Sequence, residues 1–412
     1  MKLGILGGSF NPVHLGHLFL ADTAFSQFKL DRIIFVPAYR SPFKLGNAAE
    51  GPGASDRIDM LASAITGDYR YTIDNCEIKR EGVSYTINTI EDIISRYLPD
   101  GKPVLVIGDD LAHDFLKWRD YEKILELAEI AVVRRISSAA ADYPFPHIQM
   151  ENEVMDISSS KVRQKIREGS DWRSLVPSGV RAIIEDREFY GFCRANYLPK
   201  SSQPVSDVSM PDGAEETSYG PGGIQAAVQY VETAAREALN TERFLHSRNT
   251  AIAAFDLCRR FGLDPMAGYL AGIAHDLAKQ LDGKQILKIV KSKKDEYKIS
   301  SIEIDKPGLL HGKAAAVLLK EQFRIHNKDV LEAVAFHTFG SEKMGHLAKV
   351  IYIADKTECS RNIDPALRKM CMEADLDSIL CAVLERTIVK LKAKELSLSK
   401  DTLLLLEKIK KR

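Results

Sequence analysis

The chain has 412 residues, of which 57 are basic and 57 acidic, with 45% hydrophobic residues and six cysteines. That length predicts two domains, each able to bury its own core, and the composition excludes a mostly disordered chain. A net charge of zero gives no bulk attraction to a nucleic-acid backbone or an anionic membrane, so small molecules are the expected partners.

No apolar run approaches the length of a membrane span, and the opening MKLGILGGSF lacks the charged and apolar regions of a signal peptide. A cytoplasmic chain is expected. Cys76, Cys193, Cys258, Cys359, Cys371 and Cys381 are scattered without a CxxC pair, which points to reduced packing residues rather than a disulfide framework or a zinc-thiolate site.

From the N-terminus, the β-rich runs LGILGG, RIIFVPA, YTIDNCEI, PVLVIGDD and EIAVVRR alternate with stretches of helical period such as HLFLADTAFSQF, ASDRIDMLASAI and TINTIEDIISRY. This alternation predicts an α/β domain over residues 1–198, a parallel sheet flanked by helices. Residues 199–223 hold four prolines, five serines and four glycines without apolar periodicity, which reads as a flexible linker. Residues 224–412 carry long Ala-, Leu- and Lys-rich helical patterns and no convincing strand, predicting an all-α helical bundle. No internal repeat is evident.

Strand one runs directly into Gly7-Gly8-Ser9-Phe10-Asn11-Pro12-Val13-His14-Leu15-Gly16-His17, which opens a helix. Glycines at the end of a first strand let backbone N–H groups approach a ligand, and the helix N-terminus beyond favours negative charge, so the segment suits a phosphate. It is neither GxGxxG nor a Walker A loop. His14 and His17 lie three apart, on one face, where both can donate to phosphate oxygens.

The segment GGSFNPVHLGH resembles the HxGH signature of the nucleotidyltransferase superfamily, whose fold is Rossmann-like, and its extended wording resembles bacterial nicotinate-nucleotide adenylyltransferases. VPAYRSPFK, SYTINT, GDDLAHDFLKW, VVRR and ISSSKVRQKIREG extend the likeness over most of residues 1–195. The resemblance implies transfer of AMP from ATP, accompanied by Mg²⁺, to nicotinate mononucleotide, giving deamido-NAD and pyrophosphate. It places His14, His17 and Lys44 around the α-phosphate and leaving group, with Gly7, Gly8, Ser9, Phe10 and Arg134 in the nucleotide cradle. Ser158, Ser159 and Arg163 would hold the β and γ phosphates, Trp118 would stack on the pyridine ring, Tyr85 and Thr86 would meet the nicotinate carboxylate, and Asp110 would hold ribose or metal. Two departures are Phe43, where the family usually has His, and Arg135, where it has Pro.

The helical domain contains RFLH, AGIAHDLAK, LLHGKAA, AVAFHT and IYIADK, which supply His246, His275, Asp276, His311, His337 and Asp355. Imidazoles and carboxylates without thiolate suit Fe, Mn, Co or Zn, and six such groups suffice for two ions sharing a carboxylate. His113, His147, His326 and His346 lack such company and read as surface or structural. The pattern is that of HD phosphohydrolases, and its wording resembles the symmetrical diadenosine tetraphosphatases. That likeness implies a dinuclear iron centre, with Mn, Co or Zn as alternatives, that splits diadenosine tetraphosphate into two ADP. Asp276 would bridge, while Lys279, Arg243, Thr338 and Arg361 would contact phosphates. A nucleotide-sensing role, another hydrolysed nucleotide, another phosphorylated acceptor for the first domain and an oligomeric assembly all stay open at this point.

Overall fold

The computed structural model describes residues 1–40, 51–134, 142–153, 155–193, 216–293 and 296–411. Two compact units emerge, Met1–Gln203 and Pro204–Arg412, and each is described by itself.

The first unit is built on six strands: β1 (Leu3–Gly8), β2 (Arg32–Pro37), β3 (Tyr71–Ile73), β4 (Val104–Gly108), β5 (Glu129–Val133) and β6 (Ile148–Gln149). They lie in the order β3-β2-β1-β4-β5-β6, every pair parallel. β1, β2 and β4 are continuous apolar runs because both faces of the sheet are covered by helices. The strand order reverses between β1 and β4. Their carboxyl ends therefore border the crevice where doubly wound sheets place ligands. One core cluster joins Leu3, Ile5, Ile34, Val36, Leu105 and Ile107 of the sheet to Ile87, Ile90 and Ile93 of the helix Thr86–Tyr97.

The run YTIDNCEI is only partly a strand. It ends at Ile73, and Cys76–Arg80 forms a short helix. The cause is Asp74, whose carboxylate accepts from the Cys76 N–H at 3.0 Å and turns the chain. Arg96 grips the same carboxylate with two hydrogen bonds of 2.7 and 3.0 Å, and the Tyr97 hydroxyl adds a third at 2.9 Å. Burial opposes ionisation of Asp74, but the Arg96 guanidinium and these donors hold its carboxyl below the usual range.

Among the described residues, the elements of the second unit are helices apart from a small hairpin pairing Glu216–Thr217 with Gly220–Pro221. This hairpin falls within the stretch 199–223 expected to be linker, and the Ser218 carbonyl accepts from the His326 N–H, tying it to the helical unit. The helices Thr241–Arg260 and Pro265–Ala274 pack closely because glycine lies between them. A Cβ on Gly272 would sit 2.5 Å from the Ala251 Cα, and one on Gly268 would sit 2.9 Å from the Ala254 carbonyl oxygen. Gly312 serves the helix His311–Gln322 in the same way, since a Cβ there would lie 2.8 Å from the Val334 carbonyl oxygen. A fully buried ion pair, Arg248 to Glu232 at 2.9 Å with Tyr269 donating to the same carboxylate, links these helices to the preceding one, Gly223–Ala238.

Candidate functional site

In the first unit, the turn after β1 leads to His14, the N-cap of the helix Leu15–Gln27. The His14 N–H donates to His17 Nδ1 at 3.2 Å, and the two rings lie 3.7 Å apart between centroids. Gly16 leaves room for this arrangement: a Cβ there would crowd the His14 ring, standing 3.0 Å from Nδ1. Phe10, fully buried with φ of 45°, packs edge-on against His17 and Phe35 and lies beneath Gly8. The expected histidine pair therefore sits together at a helix N-terminus, beside a pocket also lined by Gly16, Leu20, Arg134 and Ile157. Lys44 and Phe43 lie outside the described residues, as does Arg135.

Ser158 is the N-cap of the helix Ser159–Arg167, accepting from the Lys161 N–H at 3.1 Å. Ser159 Oγ donates to the Pro12 carbonyl at 2.9 Å, and Arg163 donates to the Asn11 carbonyl at 2.7 Å. These two, expected to hold phosphates, thus face the turn between β1 and the histidines. Arg134 is tied to Asn152 through its own N–H and its guanidinium. Tyr85 and Trp118 are half-buried against the same core cluster, and Tyr85 caps the helix that Thr86 begins. Arg119 lies over the Tyr85 ring at 4.8 Å. Asp110 is exposed in the first turn after β4, its N–H donating to the buried Asp109 carboxylate. Arg57 was not singled out by sequence, yet it is buried and donates to the Ser9 and Ala38 carbonyls at 2.6 and 2.8 Å.

In the second unit all six candidate ligands converge. His246, His275 and Asp355 offer ligand atoms within 4.8 Å of one another, and so do His275, Asp276 and His337. His311 Nε2 lies 3.0 Å from both His337 Nε2 and Asp276 Oδ1. Three of the imidazoles are oriented alike. His275, His311 and His337 each direct Nδ1 at the carbonyl three residues back, Gly272, Gly308 and Val334, at 2.7 to 2.8 Å. That bond fixes the tautomer and leaves each Nε2 facing the centre. His275 and His337 also stand at the C-terminal ends of the helices Pro265–Ala274 and Lys328–Phe336.

His246 is held differently, its Nδ1 3.1 Å from Glu358 and its Nε2 3.0 Å from Asp355. Glu358, fully buried and anchored by the Ser360 N–H and hydroxyl, orients the His246 ring from outside the cluster. Around the carboxylates stand four cations. Arg243 lies 3.2 Å from Asp276 Oδ2, Lys279 3.8 Å from Asp276 Oδ1, Arg361 2.9 Å from Asp355 Oδ1 and Lys356 3.0 Å from Asp355 Oδ2. Thr338 Oγ1 is 3.4 Å from His337 Nε2. Of these, Lys356 had no sequence signal beyond its nearness to Asp355.

Electrostatically the centre is strained toward cation binding. Burial opposes ionisation of Asp276 and Asp355, yet the facing imidazoles, and for Asp355 first Lys356, hold both carboxyls well below their usual range. Burial pushes His275 and His337 below the usual imidazole value and lowers Lys279 as well. The fully buried His275 Nε2 makes no hydrogen bond; its nearest carboxylate oxygens are 3.7 and 3.8 Å away. A buried nitrogen lone pair without a donor, among imidazoles and carboxylates, fits a first-row divalent metal.

Residues 5–165 match the cytidylyltransferase-like family model, and residues 243–359 match the HD domain model. A probable nicotinate-nucleotide adenylyltransferase of Borreliella afzelii is 39% identical over 190 residues, which are 46% of this chain and 97% of that protein. Another, from Treponema pallidum, is 36% identical over 204 residues, 46% of this chain and 99% of the relative. A crystal structure from Clostridium acetobutylicum, described as a predicted HD superfamily hydrolase involved in NAD metabolism, shares 31% identity. It covers 44% of this chain and 96% of its own, with a TM-score of 0.42. The chain therefore belongs, through its first unit, to the nicotinate-nucleotide adenylyltransferases, and carries an HD domain in its second.

Proposed function

We propose that the chain is a bifunctional enzyme: its first unit transfers AMP from ATP to nicotinate mononucleotide, and its second hydrolyses a phosphoanhydride, with diadenosine tetraphosphate as substrate and two ADP as products. For the first reaction, the supporting observation is the His14 and His17 pair at a helix N-terminus beside the strand-order reversal, in a chain with full-length adenylyltransferase relatives. An oxygen of the nicotinate mononucleotide phosphate attacks the α-phosphorus of Mg²⁺-bound ATP, and pyrophosphate leaves. That nucleophile is already ionised at neutral pH, so the protein's work is alignment and charge stabilisation. His14, His17 and Lys44 neutralise charge at the α-phosphate, while Ser158, Ser159 and Arg163 face the phosphate tail. Tyr85, Thr86 and Trp118 receive the nicotinate ring, with Asp110 at the ribose.

For the second reaction, the observation that carries the reading is the convergence of six imidazole and carboxylate ligands. His246, His275, Asp276, His311, His337 and Asp355 would hold the metals, a pair of iron ions in this reading. Such ions supply Lewis acidity and a nucleophile at neutral pH. Asp276 would be the carboxylate shared between them, its Oδ1 lying 3.0 Å from His311 and its Oδ2 3.7 Å from His275. Arg243, Lys279, Thr338 and Arg361 line the approach, where they pair with phosphate oxygens and stabilise the departing ADP.

The test is to incubate the iron-loaded protein anaerobically with diadenosine tetraphosphate and, separately, the protein with ATP and nicotinate mononucleotide, resolving products by chromatography. Two ADP and deamido-NAD are expected. Binding of diadenosine tetraphosphate without turnover replaces hydrolysis by sensing, and absence of deamido-NAD removes the first activity.

A further inference from the structure

Beyond the histidine turn, three side chains hold the backbone that delivers it and a fourth holds one of its side chains. Arg57, from the helix Ala54–Ala64, donates to the Ser9 carbonyl; Arg163 donates to the Asn11 carbonyl; Ser159 donates to the Pro12 carbonyl. The fourth is Tyr190, whose hydroxyl donates to Asn11 Oδ1 at 2.6 Å, across 179 residues of sequence. Its position comes from a tight turn after the helix Ser178–Asp186, with φ of 50° at Glu188, 62° at Tyr190 and 82° at Gly191. Left-handed backbone at two non-glycine residues persists only where surrounding contacts hold it. The contact is also closed over: a Cβ on Gly51 would stand 3.2 Å from the Tyr190 ring and 3.3 Å from the Asn11 amide.

We infer that Tyr190 and Arg57 are positioning residues for adenylyl transfer, clamping Ser9 to Pro12 so that the turn presents its N–H groups and the two histidines to the reacting phosphate. The geometry is that of the planar trans peptide, in which C=O and N–H point in opposite directions. With the Ser9 carbonyl drawn to Arg57, the Phe10 N–H faces away from Arg57; with the Pro12 carbonyl drawn to Ser159, the Val13 N–H faces away from that helix. Arg57, from an element that contributes no phosphate ligand, and Ser159 thereby set the direction of these donors. Tyr190 acts through the Asn11 side chain, and Arg57 through a fork of two carbonyls that a lysine cannot span.

This inference rests on the adenylyltransferase reading, and the experiment separates the two. The full-length protein and its Tyr190→Phe, Asn11→Ala, double and Arg57→Lys variants are assayed for deamido-NAD formation, with melting followed by circular dichroism. Tyr190→Phe is expected to lower kcat roughly ten- to a hundredfold, leave KM for nicotinate mononucleotide within about twofold, and melt near the wild type. The double variant is expected to fall no further than the worse single one, as coupled partners do. Arg57→Lys should show the same split between kcat and KM; if that variant does not fold, Tyr190→Phe decides. An active wild type matched in kcat by Tyr190→Phe, or additive losses in the double variant, overturns the clamp alone. A wild type that makes no deamido-NAD overturns the transfer reading and the clamp's role with it.

Discussion

The two units assemble their candidate residues in opposite ways. In the first, the candidate residues sit on a turn at the carboxyl end of a central strand, β1, and the backbone carbonyls of that turn are gripped by Arg57, Ser159 and Arg163. In the second, the working residues are side chains buried inside a helical bundle, each imidazole fixed by its own helix or by Glu358. A site made of backbone direction tolerates exchange of many side chains and fails when a tether is lost. A site made of ligands fails at the ligand itself.

The sharpest way to break this contrast is Asp276→Ala. Removing a carboxylate that faces three imidazoles should abolish diadenosine tetraphosphate hydrolysis, by more than about a thousandfold, and leave deamido-NAD formation intact. Parallel assays of both reactions check it, and equal loss of both would show that the units do not act independently. His17→Ala should do the reverse, lowering adenylyl transfer by about a hundred- to a thousandfold, as loss of one charge-stabilising donor does, while hydrolysis persists.

Glu358→Gln sharpens the comparison further. It keeps the shape but weakens the acceptor that orients His246, so metal affinity is expected to drop about ten- to a hundredfold, read by competition with a chelator. The smallest effect concerns acid stability of the first unit. Because the Asp74 carboxyl is held below its usual range in the folded chain, its stabilising effect is full above the unfolded carboxylate pKa, about 4, and is lost as pH falls through the folded value. Asp74→Asn should therefore flatten the acid limb of a plot of Tm against pH.

Local pattern made much of this molecule legible. Alternating runs identified β1, β2, β4 and β5, and the six metal-ligand candidates stood out because each His or Asp interrupts an apolar helical stretch. What stayed hidden acts across long sequence separations. Arg57 meets Ser9 over 48 residues, Glu358 meets His246 over 112, and Tyr190 meets Asn11 over 179, so none leaves a periodic or spaced signature. Strand β3 was overextended because Cys76 and Ile78 continue an apolar pattern that the Asp74 turn interrupts in space. The hairpin at 216–221 resembles linker in sequence because its glycine and proline, which suit a turn, are also what linkers contain.

His275 and His337 stand where two helices end, and this has a consequence for metal supply. The partial negative charge of each helix terminus falls on the same small volume as two deprotonated carboxylates. Such a volume attracts any small dication without distinguishing one from another. Discrimination is left to coordination preference and to what the surroundings offer, and among first-row dications affinity alone favours the later members of the series. Protein purified from differently supplemented cultures should thus carry different metals, and its turnover should track the growth medium as closely as the sequence.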